Sequence, residues 1–210
     1  MSAYKIVIPA RYASSRLPGK PLVQLAGKPM IQHVYERAVA TGASDIVIAT
    51  DDERIRDAAI GFGADVVMTS PLHENGTERI AEVARIKGWA DDVVIVNLQG
   101  DEPLIPKSLI ELTAAGLINH QDAGMSSVCT PLHNDADAFN PNVVKVVLNR
   151  DHYAMYFSRA SIPWDRDAYK DGTERMTQKM PLYRHIGMYG YRVSFLKQYV
   201  SMEPCVLETT

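Results

Sequence analysis

Residues 5–22, KIVIPARYASSRLPGKPL, constrain the fold of this chain more than any other stretch. They open with the apolar run 6–8, which is typical of a buried strand. Pro9 has no N–H to give to a sheet ladder, so we expect the strand to end there. A loop of small residues follows, and a helical pattern begins after Pro29. In an open α/β sheet such a loop lies at the carboxyl end of a strand, where ligands bind. The cations of the loop are Arg11, Arg16 and Lys20.

The charge around this loop has one sign. Residues 1–35 carry five basic side chains and no acidic one, although the whole chain has a formal net charge of −3. Small residues let backbone N–H groups approach an anion, and Arg and Lys neutralise its charge, which favours a phosphate chain as the ligand. The alternative is a solvated basic loop that binds nothing. The loop is neither a Walker A motif, since Pro21 follows Lys20, nor a GxGxxG motif.

Composition excludes several classes of protein. No apolar run approaches the roughly 20 residues that span a bilayer, and the first residues lead into a strand without a signal-peptide pattern. Cys129 and Cys205 are far apart without a metal-type spacing. We therefore expect a cytoplasmic protein with no membrane segment. The mild acidity and the lack of a basic stripe argue against nucleic acid as a partner.

Apolar strands alternate with helical patterns along most of the chain, which implies parallel βαβ units in a single domain, 1–210. The predicted strands after the first are 45–52, 65–70, 92–98, 125–131 and 143–148; the predicted helices are 29–42, with Gly42 as its cap, 54–62, one that begins with Thr77 as its N-cap, 105–120 and 193–200. From about residue 151 the alternation stops and aromatic residues cluster, which fits either a pocket or a core.

Polar residues end or follow two of these strands and begin one of the helices. Thr50 and Asp51 end the second strand, and Gly76 and Thr77 begin a helix, whose free N–H groups favour an anion. Asp101 follows the most apolar strand in the segment QGDEP. A carboxylate beside a cationic phosphate loop indicates Mg²⁺, which bridges carboxylates and phosphates. The alternative for Asp101 is a turn residue.

The segment ARYASSRLPGKPL closely resembles the signature loop of the sugar-acid cytidylyltransferases. Tyr12 and the run SSRLPGKPL favour the branch that acts on 3-deoxy-D-manno-octulosonate (Kdo) over the branch for sialic acid. The resemblance covers the whole chain, through ARYASSRLPGKPL, ATD, GTER, NLQGDEP, AFNPNVVKVV, YFSRASIPWDRD and RHIGMYGYR in the order of the family.

The resemblance implies a Rossmann-like α/β nucleotidyltransferase fold with a mostly parallel mixed sheet and helices on both faces. It also implies a homodimer, with residues 140–190 supplying the sugar pocket and the dimer contact. The implied reaction transfers a cytidylyl group from CTP to the anomeric hydroxyl of Kdo, releases pyrophosphate and so activates Kdo for lipopolysaccharide synthesis. Another sugar acid, a sugar-1-phosphate as acceptor, and a non-catalytic nucleotide-binding protein are the alternatives.

Residue roles follow from the pattern and the resemblance together. The catalytic residues are Arg11 and Lys20, which hold the triphosphate and balance charge on the leaving pyrophosphate, and Asp101, which holds Mg²⁺. The nucleotide-binding residues are Ala10, Arg11, Lys20, Thr50, Asp51, Gly76, Thr77 and Gln99, with Arg79 as a further candidate. The sugar-acid-binding residues are Arg16, Gln99, Arg159, His185, Tyr189 and Glu208. The family also has a second metal-binding Asp in a later VDTP-like segment, and we expect these 210 residues to lack that C-terminal part.

Overall fold

The computed structural model describes residues 4–13, 17–170, 176 and 180–203. Arg16 and Glu208, both predicted to bind the sugar acid, lie outside the described residues. The chain divides into two compact units, Met1–Ser126 with Met188–Thr210, and Ser127–Gly187. A compact unit is not necessarily a separate domain, so the single domain stays a prediction. Among the described residues, no helix combines the length and the apolar character that a bilayer crossing requires.

The strands and helices are as follows. The strands are β1 (Tyr4–Ala10), β2 (Gln24–Leu25), β3 (Lys28–Pro29), β4 (Asp45–Thr50), β5 (Asp65–Met68), β6 (Val94–Asn97), β7 (Met125–Pro131), β8 (Lys145–Leu148), β9 (Ala154–Ser158) and β10 (Tyr183–Arg192). The helices are α1 (Met30–Val39), α2 (Glu53–Gly61), α3 (Gly76–Ile86), α4 (Lys107–Asn119), α5 (Asp135–Phe139) and α6 (Val193–Tyr199), with a 3₁₀ turn at Lys20–Leu22.

The first unit is built on a mixed sheet in the order β5-β4-β1-β6-β10. Strand β1 pairs in parallel with β4 and β6, and β4 pairs in parallel with β5. The last residues of β10 pair antiparallel with β6. Strand β6 is buried at every position, as its apolar sequence predicts for a central parallel strand. The predicted mixed sheet is confirmed, and its parallel pairs all lie in this unit.

Helices cover both faces of this sheet. Val7, Val47 and Ile95 share one face because side chains alternate along a strand, and they form a core with α3 and α6. Helices α1 and α4 contact each other and the strands β1, β4 and β6. Right-handed crossovers place α1 and α3 on opposite faces, since the chain moves from β1 outward to β5 and then back to β6.

Pro9 does not end the first strand, which corrects the expectation from the sequence. β1 continues to Ala10, with Pro9 opposite Ala49 of β4. Val7, two residues earlier and so oriented the same way, accepts a hydrogen bond from the N–H of Leu98 on the β6 side. Pairing with β6 stops at Asn97, so the N–H that Pro9 lacks would have had no partner strand there.

Several predicted helix ends also differ from the structure, among them the start of α4, at Lys107 instead of residue 105. The N-cap of α3 is Asn75, whose side chain accepts from the N–H of Glu78, and Thr77 lies inside the helix. Helix α1 ends before Ala40 rather than at Gly42. Helix α2 begins after Asp52, whose side chain accepts from the N–H of Arg54. Asn and Asp are as good N-caps as Thr, so side-chain chemistry alone does not show which of several neighbouring residues caps a helix.

The second unit is antiparallel, which explains why its sequence shows no βαβ alternation. The first residues of β10 pair with β8, and β8 pairs with β9. Strand β7 also pairs with β10. The core of the second unit holds Leu132, Ala138, Val143 and Leu182, with Phe139 and Met176 packed against them.

Candidate active site

The cationic loop leaves β1 at Ala10 and is closed by Tyr12. The N–H of Gly19 donates to the carbonyl of Tyr12 at 2.8 Å. Gly19 has φ +70°, and a Cβ there would lie 3.0 Å from the Tyr12 ring, so this position requires glycine. The guanidinium of Arg54 covers the same ring, 3.3 Å from its centroid, and pairs with Asp52. The loop is therefore anchored to the start of α2.

Lys20 and Asp101 face each other at the end of this loop. The Nζ atom of Lys20 lies 2.6 Å from Oδ2 of Asp101, and both side chains remain partly exposed. Lys20 begins the 3₁₀ turn after the loop, and Asp101 follows β6, so the pair joins the carboxyl ends of neighbouring strands. The predicted juxtaposition of a loop cation and the acid after β6 is present.

Three backbone segments meet beside this pair. A Cβ on Gly100 would lie 2.9 Å from the carbonyl oxygen of Pro9, so only glycine lets the chain after β6 approach the end of β1 this closely. A Cβ on Gly76 would lie 3.6 Å from the ring of Pro9, which places the start of α3 at the same edge. Ala10 is buried there. Gln99, predicted to bind both substrates, is half-buried in the turn after β6.

Arg11 joins the loop to the segment before α3. Its Nη1 donates to the carbonyl of Glu74 at 3.2 Å and its Nη2 donates to the carbonyl of His73. Both acceptors are neutral, and Arg11 forms no ion pair with the residues that the structure describes. The guanidinium therefore adds positive potential at the start of α3, where the free N–H groups also favour an anion.

Thr50 and Asp51 face the interior, although the sequence predicted that they bind the nucleotide. Thr50 is fully buried, and its hydroxyl accepts from the N–H of Asp52 at 3.2 Å. Oδ2 of Asp51 accepts from Nη2 of Arg79 at 2.9 Å. Arg79 is fully buried and also donates to Thr69. The ion pair gives Asp51 a structural role, because an unpaired buried guanidinium is costly, and Thr50 exposes no side-chain surface to a ligand.

Thr77 lies in the first turn of α3 and contacts a buried tyrosine. Its Oγ1 is 3.2 Å from the hydroxyl of Tyr191. Burial raises the pKa of Tyr191, and hydrogen bonds from Thr77 and Asn97 act in the opposite direction. Oδ1 of Asn97 is buried without a hydrogen-bond partner among the described residues. The hydroxyl of Thr77 is thus part of a buried polar cluster at the carboxyl end of β6.

The remaining sugar-acid candidates come from both compact units. Arg159 and His185 belong to the second unit, and Tyr189 belongs to the first. Arg159 is exposed, and its Nη1 donates to the carbonyl of Pro141 at 3.1 Å. Nε2 of His185 lies 2.8 Å from the hydroxyl of Ser127, and burial lowers the pKa of the imidazole. Burial raises the pKa of Tyr189.

Comparison with known proteins identifies the family to which this chain belongs. A family model described as cytidylyltransferase matches residues 5–210. The chain belongs to the cytidylyltransferase family. It is therefore a nucleotidyltransferase, and Lys20 and Asp101 lie within the matched region.

Two curated relatives and one solved structure cover nearly all of this cytidylyltransferase. The 3-deoxy-manno-octulosonate cytidylyltransferase of Thioalkalivibrio sulfidiphilus (strain HL-EbGR7) is 57% identical over 208 residues, which are 99% of this chain and 82% of the relative. That of Vibrio vulnificus (strain YJ016) is 53% identical over 206 residues, 98% of this chain and 81% of the relative. The structure of CMP:2-keto-3-deoxy-manno-octonic acid synthetase complexed with CTP is 42% identical, with a TM-score of 0.88 over 99% of this chain and 81% of that chain.

The residues after β6 fit Mg²⁺ only together with a phosphate ligand. No group of three or more His, Cys, Asp or Glu side chains able to hold a metal occurs among the described residues of this cytidylyltransferase. Mg²⁺ commonly takes one or two carboxylates and completes its shell with phosphates and water. Asp101 supplies one carboxylate. Oε2 of the neighbouring Glu102 is buried without a partner among the described residues, and burial and then the charge of Asp101 raise the pKa of Glu102. Lys20 balances the charge of Asp101 in this structure, and a metal ion and a phosphate would take up these two charges when they bind.

Sequence reasoning missed two features of this cytidylyltransferase site. The stack of Arg54 on Tyr12 gave no signal, because an arginine near the start of a helix is usually a solvated residue. Asn97 gave a weak signal, since it is the one polar residue in the run VVIVNL. A lone amide at the end of a buried strand needs a hydrogen-bond partner from the protein or from a ligand. This rule could have identified Asn97 as a candidate site residue.

Proposed function

We propose that this chain transfers the cytidylyl group of CTP to the anomeric hydroxyl of Kdo, with release of pyrophosphate. Relatives that are 53% and 57% identical over nearly the whole chain carry the name of this activity. The structural observation that carries the proposal is the 2.6 Å approach of Lys20 to Asp101 at the end of the loop after β1. This contact places a lysine that can bind phosphate beside a carboxylate that can bind a metal ion. The product is an activated sugar for lipopolysaccharide synthesis.

In this proposal, residues of the first unit bind and orient the nucleoside triphosphate. The backbone after Ala10 approaches the phosphates, and Lys20 neutralises their charge and the charge that develops on the leaving pyrophosphate. Arg11 holds the start of α3 against the loop through two carbonyls. We expect Asp101 to hold Mg²⁺, which when bound polarises the α-phosphate and lowers the pKa of the attacking hydroxyl. The contribution of the protein is then positioning and charge stabilisation.

Pyrophosphate release tests the proposed function. The protein is incubated with CTP and Mg²⁺ and either Kdo or sialic acid, and pyrophosphate is measured continuously. We expect release with Kdo only. Release with sialic acid and none with Kdo would identify another sugar acid as the substrate. No release with either acid, from protein that binds CTP, would indicate a nucleotide-binding protein.

Replacing Arg159 with alanine should weaken Kdo binding and spare CTP binding. Arg159 is exposed and its guanidinium uses one donor on Pro141, which leaves donors for a carboxylate. We expect KM for Kdo to rise about 10–100-fold, as for the loss of a charge-assisted hydrogen bond, and KM for CTP to change less than about twofold. Steady-state kinetics with each substrate varied in turn measure this. Equal increases in both KM values would remove Arg159 from the sugar-acid site.

We further propose a cytoplasmic homodimer. Two cysteines without a metal-type spacing are consistent with a reducing compartment. Strand β9 carries exposed apolar side chains at Met155, Tyr156 and Phe157, and within the second unit it pairs with β8. An apolar strand edge of this kind invites pairing with another chain, and a second copy of this chain is the partner we infer.

Replacing Met155 with glutamate should convert the dimer to a monomer. Met155 is 68% exposed in the single chain, so the substitution costs the monomer little, whereas burying an unpaired carboxylate in an interface is costly. Light scattering after size-exclusion chromatography measures the mass. Ile60→Glu is the matched control, since Ile60 is 57% exposed on α2 and should leave the mass unchanged. A dimer that persists in Met155→Glu would show that this face of β9 does not form the dimer interface.

A further inference from the structure

Lys145 is a fully buried cation in strand β8 of the second unit. Its Nζ donates to three main-chain carbonyls, those of Asn140 at 2.9 Å, Val143 at 2.7 Å and Arg159 at 2.5 Å. Three donors match three acceptors only when the amine is protonated. Burial, and secondarily the charge of Arg159, lower the pKa of Lys145. The contacts therefore hold an ammonium ion in an interior that disfavours it.

The position of Lys145 in the sheet explains these contacts. Lys145 lies opposite Ser158 of β9, so the carbonyl of the next residue, Arg159, comes within reach of its side chain. The other two carbonyls belong to the turn at 140–143 that precedes β8. Arg159 donates from Nη1 to the carbonyl of Pro141 in the same turn. Lys145 and Arg159 are thus fixed on one short turn, the first buried and the second exposed.

Among the residues that the structure describes, the two cations have no acidic partner. Neither Lys145 nor Arg159 forms an ion pair with any residue that the structure describes, and the partners they do have are neutral carbonyls. A buried ammonium without a counter-charge is costly to the fold, so its presence needs a reason beyond stability. Two adjacent positive charges on a rigid turn, one of them exposed, suit an anionic ligand that supplies the missing charge.

We propose that Lys145 is a positioning residue for the carboxylate of the sugar-acid substrate. It ties the turn at 140–143 to the main chain of Arg159, so that the guanidinium of Arg159 is held in one orientation and its spare donors can bind a carboxylate bidentately. Preorganising a binding group in this way removes the cost of ordering it when the ligand arrives. The inference rests on the proposed function, because it requires a carboxylate substrate.

Two substitutions separate the charge of Lys145 from its bulk. Lys145→Met keeps most of the length and removes the charge and the donors, and Lys145→Gln keeps donors for the carbonyls without the charge. For Lys145→Met we expect KM for Kdo to rise about tenfold or more, for Lys145→Gln we expect a smaller rise because two donors remain, and for both KM for CTP should stay within about twofold. Lys197→Met is the control, since Lys197 forms an exposed pair with Asp91 and should change neither constant.

A double variant tests whether Lys145 acts through Arg159. If it does, Lys145→Met should raise KM for Kdo hardly further in an Arg159→Ala background, because the group it positions is gone. A purely structural role predicts instead that the two effects multiply. Multiplying effects, an equal rise in KM for CTP, or failure of Lys145→Gln to fold would each overturn the proposal. Turnover of Kdo by the unmodified protein with unchanged KM in the Lys145 variants would overturn this inference and leave the proposed function intact.

Discussion

Asparagine in place of Asp101 is expected to lower kcat by about three orders of magnitude and leave the fold unchanged. The substitution keeps the shape of the side chain and removes the charge that we expect to hold Mg²⁺ and that faces Lys20 at 2.6 Å. Losing a metal ligand or a charge-stabilising group in an active site typically costs about 10²–10⁴ in rate. Pyrophosphate release at saturating CTP, Kdo and Mg²⁺ measures kcat. Thermal unfolding followed by circular dichroism checks the fold.

The stability of this variant should not change, because the Lys20–Asp101 pair is exposed. Their side chains are 36% and 49% exposed, and surface pairs contribute about 0–1 kcal/mol. Asp65→Asn is the matched control, since Asp65 pairs with Lys87 and is 45% exposed. It should keep its full rate. A near-normal rate for Asp101→Asn at saturating Mg²⁺ would show that other residues hold the metal. Asp101 would then be only a turn residue, the alternative reading of the sequence.

The alternating part of the fold could be predicted because its signals are local and repeated. Strands β4 and β5 begin at the predicted residues, 45 and 65. The antiparallel second unit could not be predicted in the same way. Strand β10 pairs through registers that no short-range pattern encodes, and β9 exposes apolar residues where a strand pattern predicts alternation. Strand propensity depends on such neighbours more than helix propensity does.

The residues of the candidate site also differ in whether the order of the elements is enough to predict them. Lys20 and Asp101 were found because the carboxyl ends of neighbouring parallel strands meet at one edge, and this rule needs only the order of the elements. Thr50 and Asp51 also end a strand, but their side chains are directed inward by contacts with Asp52 and Arg79. The sequence does not reveal that Arg79, in an amphipathic helix, is fully buried, because arginine in such a helix is usually exposed.

Asparagine in place of Asp51 is therefore expected to destabilise the protein by about 3 kcal/mol. Arg79 is fully buried, Asp51 is 18% exposed at its side chain, and their atoms lie 2.9 Å apart. Nε of Arg79 has no partner among the described residues, so the carboxylate of Asp51 is the group that compensates this charge. Removing one member of a buried pair leaves the other uncompensated, which typically costs about 3–5 kcal/mol. For a chain of this length we expect the melting temperature to fall by about 6–12 °C.

Kinetics of the same variant distinguish a structural Asp51 from one that binds the nucleotide. A structural role predicts a large loss of stability with KM for CTP within about twofold, whereas a binding role predicts the reverse. Asp52→Asn is the adjacent comparison: Asn caps a helix as well as Asp does, and its partner Arg54 is 59% exposed at its side chain, so the charge left behind is solvated and the loss of stability should be smaller. Adding Arg79→Met to Asp51→Asn should restore much of the stability, because the uncompensated charge is then gone. A double variant that stays as unstable as Asp51→Asn would show that this charge is not the cause.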